Sequence, residues 1–156
     1  MPERRKLTFA ALNDAVADAE NLLAVGYEKA GNWDLAQVCG HLSEWLRFPI
    51  DGFPKMPLLL RPVFWLFRIT IGRAKRLKYT AEGMPAGKPT VPQTVPAAGG
   101  SDAAAVAKLK ETAERFEAHA GAIHPSPLFG PMTKDEAREL QLRHLAHHLS
   151  FLVPKA

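Results

Sequence analysis

The sequence predicts an all-α fold: four long helices gathered into a bundle, with a long crossover that carries an extra helical insertion. Three observations predict it. Four stretches place apolar residues at helical spacing. No stretch alternates as a half-buried strand would. The interval between the second and third of those stretches is long, apolar at first, basic later, and then rich in Pro and Gly. One domain, residues 1–156, accounts for the 156 residues, with the insertion at about 55–100.

The first helix is expected to start at Thr8 as N-cap, with Leu7 and Leu12 as a hydrophobic staple. Leu12, Val16, Ala19 and Leu23 carry its apolar stripe, and Gly31 and Asn32 are expected to end it. The second helix runs from about Trp33 to Phe48. Leu35, Val38, Leu42, Trp45 and Leu46 fall in one broad stripe, and Pro49, Gly52 and Pro54 close it.

Residues 57–78 form a distinct unit, "PLLLRPVFWLFRITIGRAKRLK". Pro57 fits a first helical turn, and Pro62 allows at most a kinked or restarted helix. "YTAEGMPAGKPTVPQTVPAAGG", Tyr79 to Gly100, reads as an extended connection crossing the surface. A third long helix starts at Ser101 or Asp102 and runs to about Ala120, with Val106, Leu109, Ala113 and Phe116 as its stripe. After "GAIHPSPLFGPM" the last helix opens at Thr133, where "TKDE" is a capping box, and runs to about Phe151.

The chemistry concentrates in "LRHLAHHLSF", Leu142 to Phe151, which holds three of the six histidines. With His144 at 0° on a helical wheel, His148 lies at about 40° inside the apolar arc, and His147 at about −60°, at the rim. On the second helix His41 falls between Phe48 and Trp45, also inside the arc. Each buried imidazole needs partners for both nitrogens. Three that face inward either find separate partners, as ordinary core histidines do, or share one, a divalent metal.

"WDLAQVCGHL", Trp33 to Leu42, and "HLAHHL", His144 to Leu149, resemble the DinB/YfiT-like superfamily of metal-dependent enzymes. "GMPAGKPTVP" and "HPSPLFGPMTKDE" are similar to connecting segments of one uncharacterised, domain-of-unknown-function branch of it, and the resemblance covers most of the chain. It implies an up-down-down-up four-helix bundle, often a homodimer. It places the metal triad on His41, His144 and His148. No single reaction follows, since characterised relatives include thiol-dependent transferases and isomerases.

The remaining candidates have blander readings beside sharper ones. His147 reads as a rim residue, or else as a group behind the ligands that shuttles a proton. His124 reads as a loop residue with a backbone hydrogen bond, or else as a cap on the mouth of the site. His119 reads as solvated. Cys39 lies about 160° from His41 on the wheel and reads as a small buried hydrophobe. Asp34 suits the positive end of the second helix, and Glu44 the outer face, so no carboxylate base is evident.

The basic segment Arg61, Arg68, Arg73, Lys75, Arg76 and Lys78 reads as a lid helix packed on the bundle with a solvated basic end. The alternative is contact with an anionic membrane surface or ligand. Its two prolines and internal arginines argue against a membrane span. A net charge of +4 is too small to argue nucleic-acid binding, and no nucleic-acid motif is present. One cysteine excludes an internal disulfide framework. The N-terminus lacks an apolar core of signal-peptide type, so a cytoplasmic protein is expected. The apolar run Leu58 to Phe67 predicts a homodimer.

Together these features predict a metal-dependent enzyme. A zinc or nickel ion on His41, His144 and His148 would activate water or a small thiol against a small-molecule substrate, by hydrolysis or thiol transfer. The competing expectation is a non-enzymatic bundle, its metal structural or absent, acting as a binding or stress-associated protein.

Overall fold

A computed structural model describes residues 2–55, 57–87 and 92–155. The chain is mostly helical. Four long helices, α1 (Leu12–Val25), α2 (Leu35–Asp51), α5 (Asp102–Ala118) and α6 (Lys134–Leu149), share one core. That core is built from Leu12, Val16 and Leu22 of α1, Leu35, Leu42 and Leu46 of α2, Leu109 and Phe116 of α5, and Leu145 and Leu149 of α6. Two short helices, α3 (Arg61–Phe67) and α4 (Arg73–Glu82), lie in the insertion.

The sequence misplaces the start of α1. Thr8 is exposed, and the helix begins at Leu12 behind Ala11. Asp14, in the first turn, supplies the cap by accepting from the amides of Ala10 (3.2 Å) and Ala11 (2.9 Å). Residues ahead of it are drawn away by long-range bonds. Arg5 forms a two-pronged ion pair with Asp18 at 2.7 and 2.8 Å, and its backbone amide donates to the Ser150 carbonyl. The helix ends at Gly26 rather than Gly31, because Gly26 takes a φ of 77°, which favours glycine.

Two strands escaped the sequence reading. β1 (Tyr27–Lys29) pairs antiparallel with β2 (Leu152–Pro154), Glu28 opposite Val153. Three residues are too few to show alternation. The last helix consequently stops at Leu149, before the expected Phe151.

The start of α2 is closed by a capping box. Asp34 accepts from the Gln37 amide at 2.8 Å, and Gln37 Oε1 accepts from the Asp34 amide at 3.3 Å. Asp102 accepts from the Ala36 amide, and the Tyr27 hydroxyl from the Leu35 amide, so the other free donors of that first turn are bound too. Pro49 does not end the helix; it sits inside it, and α2 continues to Asp51. The predicted box at Thr133 is present, Thr133 Oγ1 accepting from the Glu136 amide and Glu136 from the Thr133 amide.

The insertion is helical over a longer stretch than expected. A 3-10 turn at 58–60 leads into α3, a π-helical turn over 68–72 follows, and α4 carries on through Tyr79 to Glu82. Pro62 sits in the first turn of α3, where its missing N–H is harmless. One side of this unit is fastened: Arg76 is buried and pairs with Glu136 at 3.0 Å, and Gly72 lies against the Leu128 carbonyl. On that side the unit packs against the bundle as expected, while its other side is left uncovered, because Leu59 is 89% exposed, Leu58 75% and Val63 61%. Among the described residues no helix is long and apolar enough to cross a membrane.

Candidate metal centre

His41 sits in the middle of α2, fully buried. His144 and His148 sit one turn apart on α6, the helix facing it. The structure brings these three together: one ring nitrogen of each lies within 4.8 Å of the others. His41 Nε2 and His144 Nε2 are 3.2 Å apart. Two nitrogens bound tetrahedrally to one ion at about 2.0–2.1 Å stand about 3.3 Å apart. That pair therefore already has the spacing of two ligands, and His148 would have to draw in by at most about 1.5 Å to complete the set.

The protonation of His41 is fixed from behind. Its Nδ1 lies 3.3 Å from the Thr94 carbonyl and 3.0 Å from the Thr94 hydroxyl. A carbonyl oxygen only accepts, so Nδ1 carries the proton and the lone pair on Nε2 faces the other histidines. Gly40 makes this contact attainable. A Cβ there would stand 2.5 Å from Pro96 Cγ, so only glycine lets the crossover bring Thr94 onto α2.

Two indoles wall the cluster. Trp33 lies parallel to His148, centroids 5.1 Å apart, and edge-on to His41. Trp45 meets His41 and His144 edge-on. Gln141 Nε2 donates to the Trp45 carbonyl at 3.0 Å. Nearby, Trp45 Nε1 and Gln141 Oε1 are buried without a hydrogen-bond partner among the described residues.

All three imidazoles are held neutral. Burial, opposed by the Thr94 backbone contact, lowers the His41 pKa to about 4. Burial and then the neighbouring histidines hold His144 and His148 well below the usual imidazole value. Neutral imidazole is the form that ligates a metal. The donor set and its protonation fit a divalent ion.

His147 faces elsewhere. Arg4 Nη2 lies 3.1 Å from its Nδ1 and donates to it, since a guanidinium has no lone pair to offer. The other nitrogen then carries the proton. Burial, then the charge of Arg4, lower its pKa. Arg4 also donates to Ser150 Oγ at 2.7 Å and stacks over Phe151 at 4.1 Å. His124 has an exposed ring outside the cavity lining, and its backbone amide donates to the Pro49 carbonyl at 2.8 Å. His119, expected in solvent, is half-buried at the end of α5 with Nε2 3.3 Å from the Ala122 carbonyl. Cys39 is buried, and burial pushes its thiol up to about 12. Glu44 is engaged by Arg47 and Lys108.

A cavity of about 430 Å³ reaches the cluster. His144, His147 and His148 line it; His41 lies behind them. Its walls are mainly apolar, with Trp45 and Phe53 on one side and Phe67 and Tyr79 of the insertion on another. Among the described residues no carboxylate lines it, and Lys75 is its charged member. Such a volume admits a small organic molecule.

The sequence had turned His41, His144 and His148 inward, and the structure places them side by side. It had missed Thr94, Trp33 and Arg4. Trp33 was legible only as a helix boundary. Thr94 and Arg4 lie 53 and 143 residues from their histidine partners, and no local pattern encodes such contacts.

A family model described as "Protein of unknown function (DUF1569)" matches residues 1–155. No curated protein and no solved structure matches the chain.

Proposed function

We propose, from the premise that this chain belongs to the DUF1569 family of proteins of unknown function, that it is a metal-dependent enzyme whose divalent ion is held by His41, His144 and His148. We read its four long helices as an up-down-down-up bundle of the DinB/YfiT-like kind. Zinc or nickel suits an all-imidazole donor set. The observation that carries the reading is the facing pair of nitrogens, His41 Nε2 and His144 Nε2 at 3.2 Å, at the inner end of an open cavity.

The protein's own residues do four things in this reading. Thr94 holds the His41 proton on Nδ1, so Nε2 is ready to ligate. Burial keeps the three rings neutral at pH 7. Trp33 and Trp45 fix the ring planes. The cavity brings a small-molecule substrate to the side of the cluster where His144 and His148 are accessible. A divalent ion held by His41, His144 and His148 would supply Lewis acidity, lowering the pKa of a bound water or small thiol. Among the described residues no carboxylate lines the cavity, so that acidity would have to support hydrolysis or thiol transfer without a protein base.

The test is elemental analysis of protein purified without a polyhistidine tag. The parent should carry close to one divalent ion per chain. His41→Ala, His144→Ala and His148→Ala should each lose it, and His147→Ala should keep it, with circular dichroism confirming the fold of each. Unchanged metal content in all four folded variants would remove the metal from this site.

A further inference from the structure

The outer face of the insertion is not used by the metal centre. Leu58, Leu59, Val63, Trp65, Leu66 and Ile69 all stand more than half exposed on consecutive turns of one helical segment. An apolar surface of that extent is rare on a protein that meets only water. The charges around it are mostly of one sign. Arg61, Arg73 and Lys78 are exposed, no Asp or Glu occurs from residue 58 to 81, and the first acid beyond, Glu82, lies 3.8 Å from Lys78.

That charge pattern selects the occupant. A second copy pairing through the same face would bring Arg61 and Arg73 against basic side chains, with no acid within residues 58–81 and Glu82 already beside Lys78. A lipid surface with anionic headgroups meets both halves of the pattern at once. Here the helix lies on the surface rather than crossing it, in keeping with its length and its arginines. We propose that residues 58–78 dock this protein on an anionic membrane surface, their leucines, valine and tryptophan entering the acyl boundary and Arg61, Arg73 and Lys78 meeting the headgroups. The fastened side of the segment, through Arg76–Glu136 and Gly72–Leu128, holds the docking face rigidly to the rest of the fold.

Full-length protein is cosedimented with phosphatidylcholine vesicles, with and without about a quarter phosphatidylglycerol. Binding to the anionic vesicles should be at least about tenfold tighter, and should weaken several-fold as salt rises. Replacing both Trp65→Ser and Leu66→Ser should lower it by about tenfold with an unchanged circular dichroism spectrum. Arg73→Gln with Lys78→Gln should reduce the anionic preference several-fold. Parent tryptophan emission should shift to the blue on anionic vesicles, because Trp65 is the most exposed of the three tryptophans, and the shift should be absent from the serine variant. The proposal is overturned if the parent binds neither vesicle, or binds both alike. It is equally overturned if light scattering finds a dimer that the serine variant disperses while vesicles are ignored, since the occupant is then a second copy. Metal content has no part in these outcomes.

Discussion

Trp33 stacks flat on His148, with ring centroids 5.1 Å apart and planes 3° from parallel. Trp33 immediately precedes the cap of α2, so the start of one helix sets the ring plane of a histidine on another. Ring contacts of this kind contribute about 0.5–1.5 kcal/mol beyond burial. Trp33→Ala should therefore weaken metal binding by about threefold to tenfold while leaving the stoichiometry near the parent's. Competition against a chromophoric chelator measures this. Parent-like affinity would show that His148 is oriented by α6 alone.

The metal-free protein should lose stability in acid. An unfolded imidazole titrates near 6.5, whereas His41 titrates at about 4 in the fold and His144 and His148 well below 6.5. Below pH 6.5 the unfolded chain binds more protons than the folded one, so stability falls with pH; above 6.5 this contribution is constant. His41 alone accounts for about 2 kcal/mol at pH 5. Thermal melts in chelator from pH 7.5 to 5 should show a steady fall in Tm. A flat profile down to pH 5 would mean that these rings are hydrated.

Gly40→Ala should act on the proposed metal site without touching a ligand. The added methyl meets Pro96 at 2.5 Å, and the crossover that carries Thr94 must move off α2. Overpacking of this kind costs about 1–3 kcal/mol. Loss of the partner behind a ligating histidine costs about tenfold or more in metal affinity. Chemical denaturation and metal titration on the same variant should both change, and a change in only one would separate the two effects.

Arg4→Met should lower stability by about 1–3 kcal/mol in denaturant melts. It removes the bonds to His147 Nδ1, the His147 carbonyl and Ser150 Oγ, and the stack on Phe151. Metal stoichiometry should stay at the parent's value, because Arg4 touches none of the three proposed ligands. Metal loss in a folded Arg4→Met variant would implicate His147 in binding.

Legibility in the sequence followed the range of the interactions. Helical period alone turned His41, His144 and His148 to the interior, because each sits in a regular helix among leucines. The Thr133 box was readable because both partners lie within four residues. Thr8 failed as a cap because Arg4 and Arg5 bond to residues more than 140 positions away, holding residues 2–10 out of the helix. The lid was legible only on the side that packs. Periodicity reports that a helix has an apolar face, and it does not report whether anything covers that face. Residues 88–91 of the predicted extended connection lie outside the described residues.

The bonds between the first ten residues and the end of α6 set an order in time. During synthesis Arg4, Arg5 and His41 leave the ribosome early, long before the residues they are to meet. Arg5 waits for the Leu149 and Ser150 backbone, Tyr27 for Pro154, and His41 for His144. A nascent chain lacking its last helix can build neither the sheet nor the histidine cluster, however well α1 and α2 have formed. A metal ion supplied before that point would meet one of the three proposed ligands and a partial core, so on the proposed reading loading cannot precede the docking of residues 144–154, and the rate of that docking sets when the histidine cluster first exists.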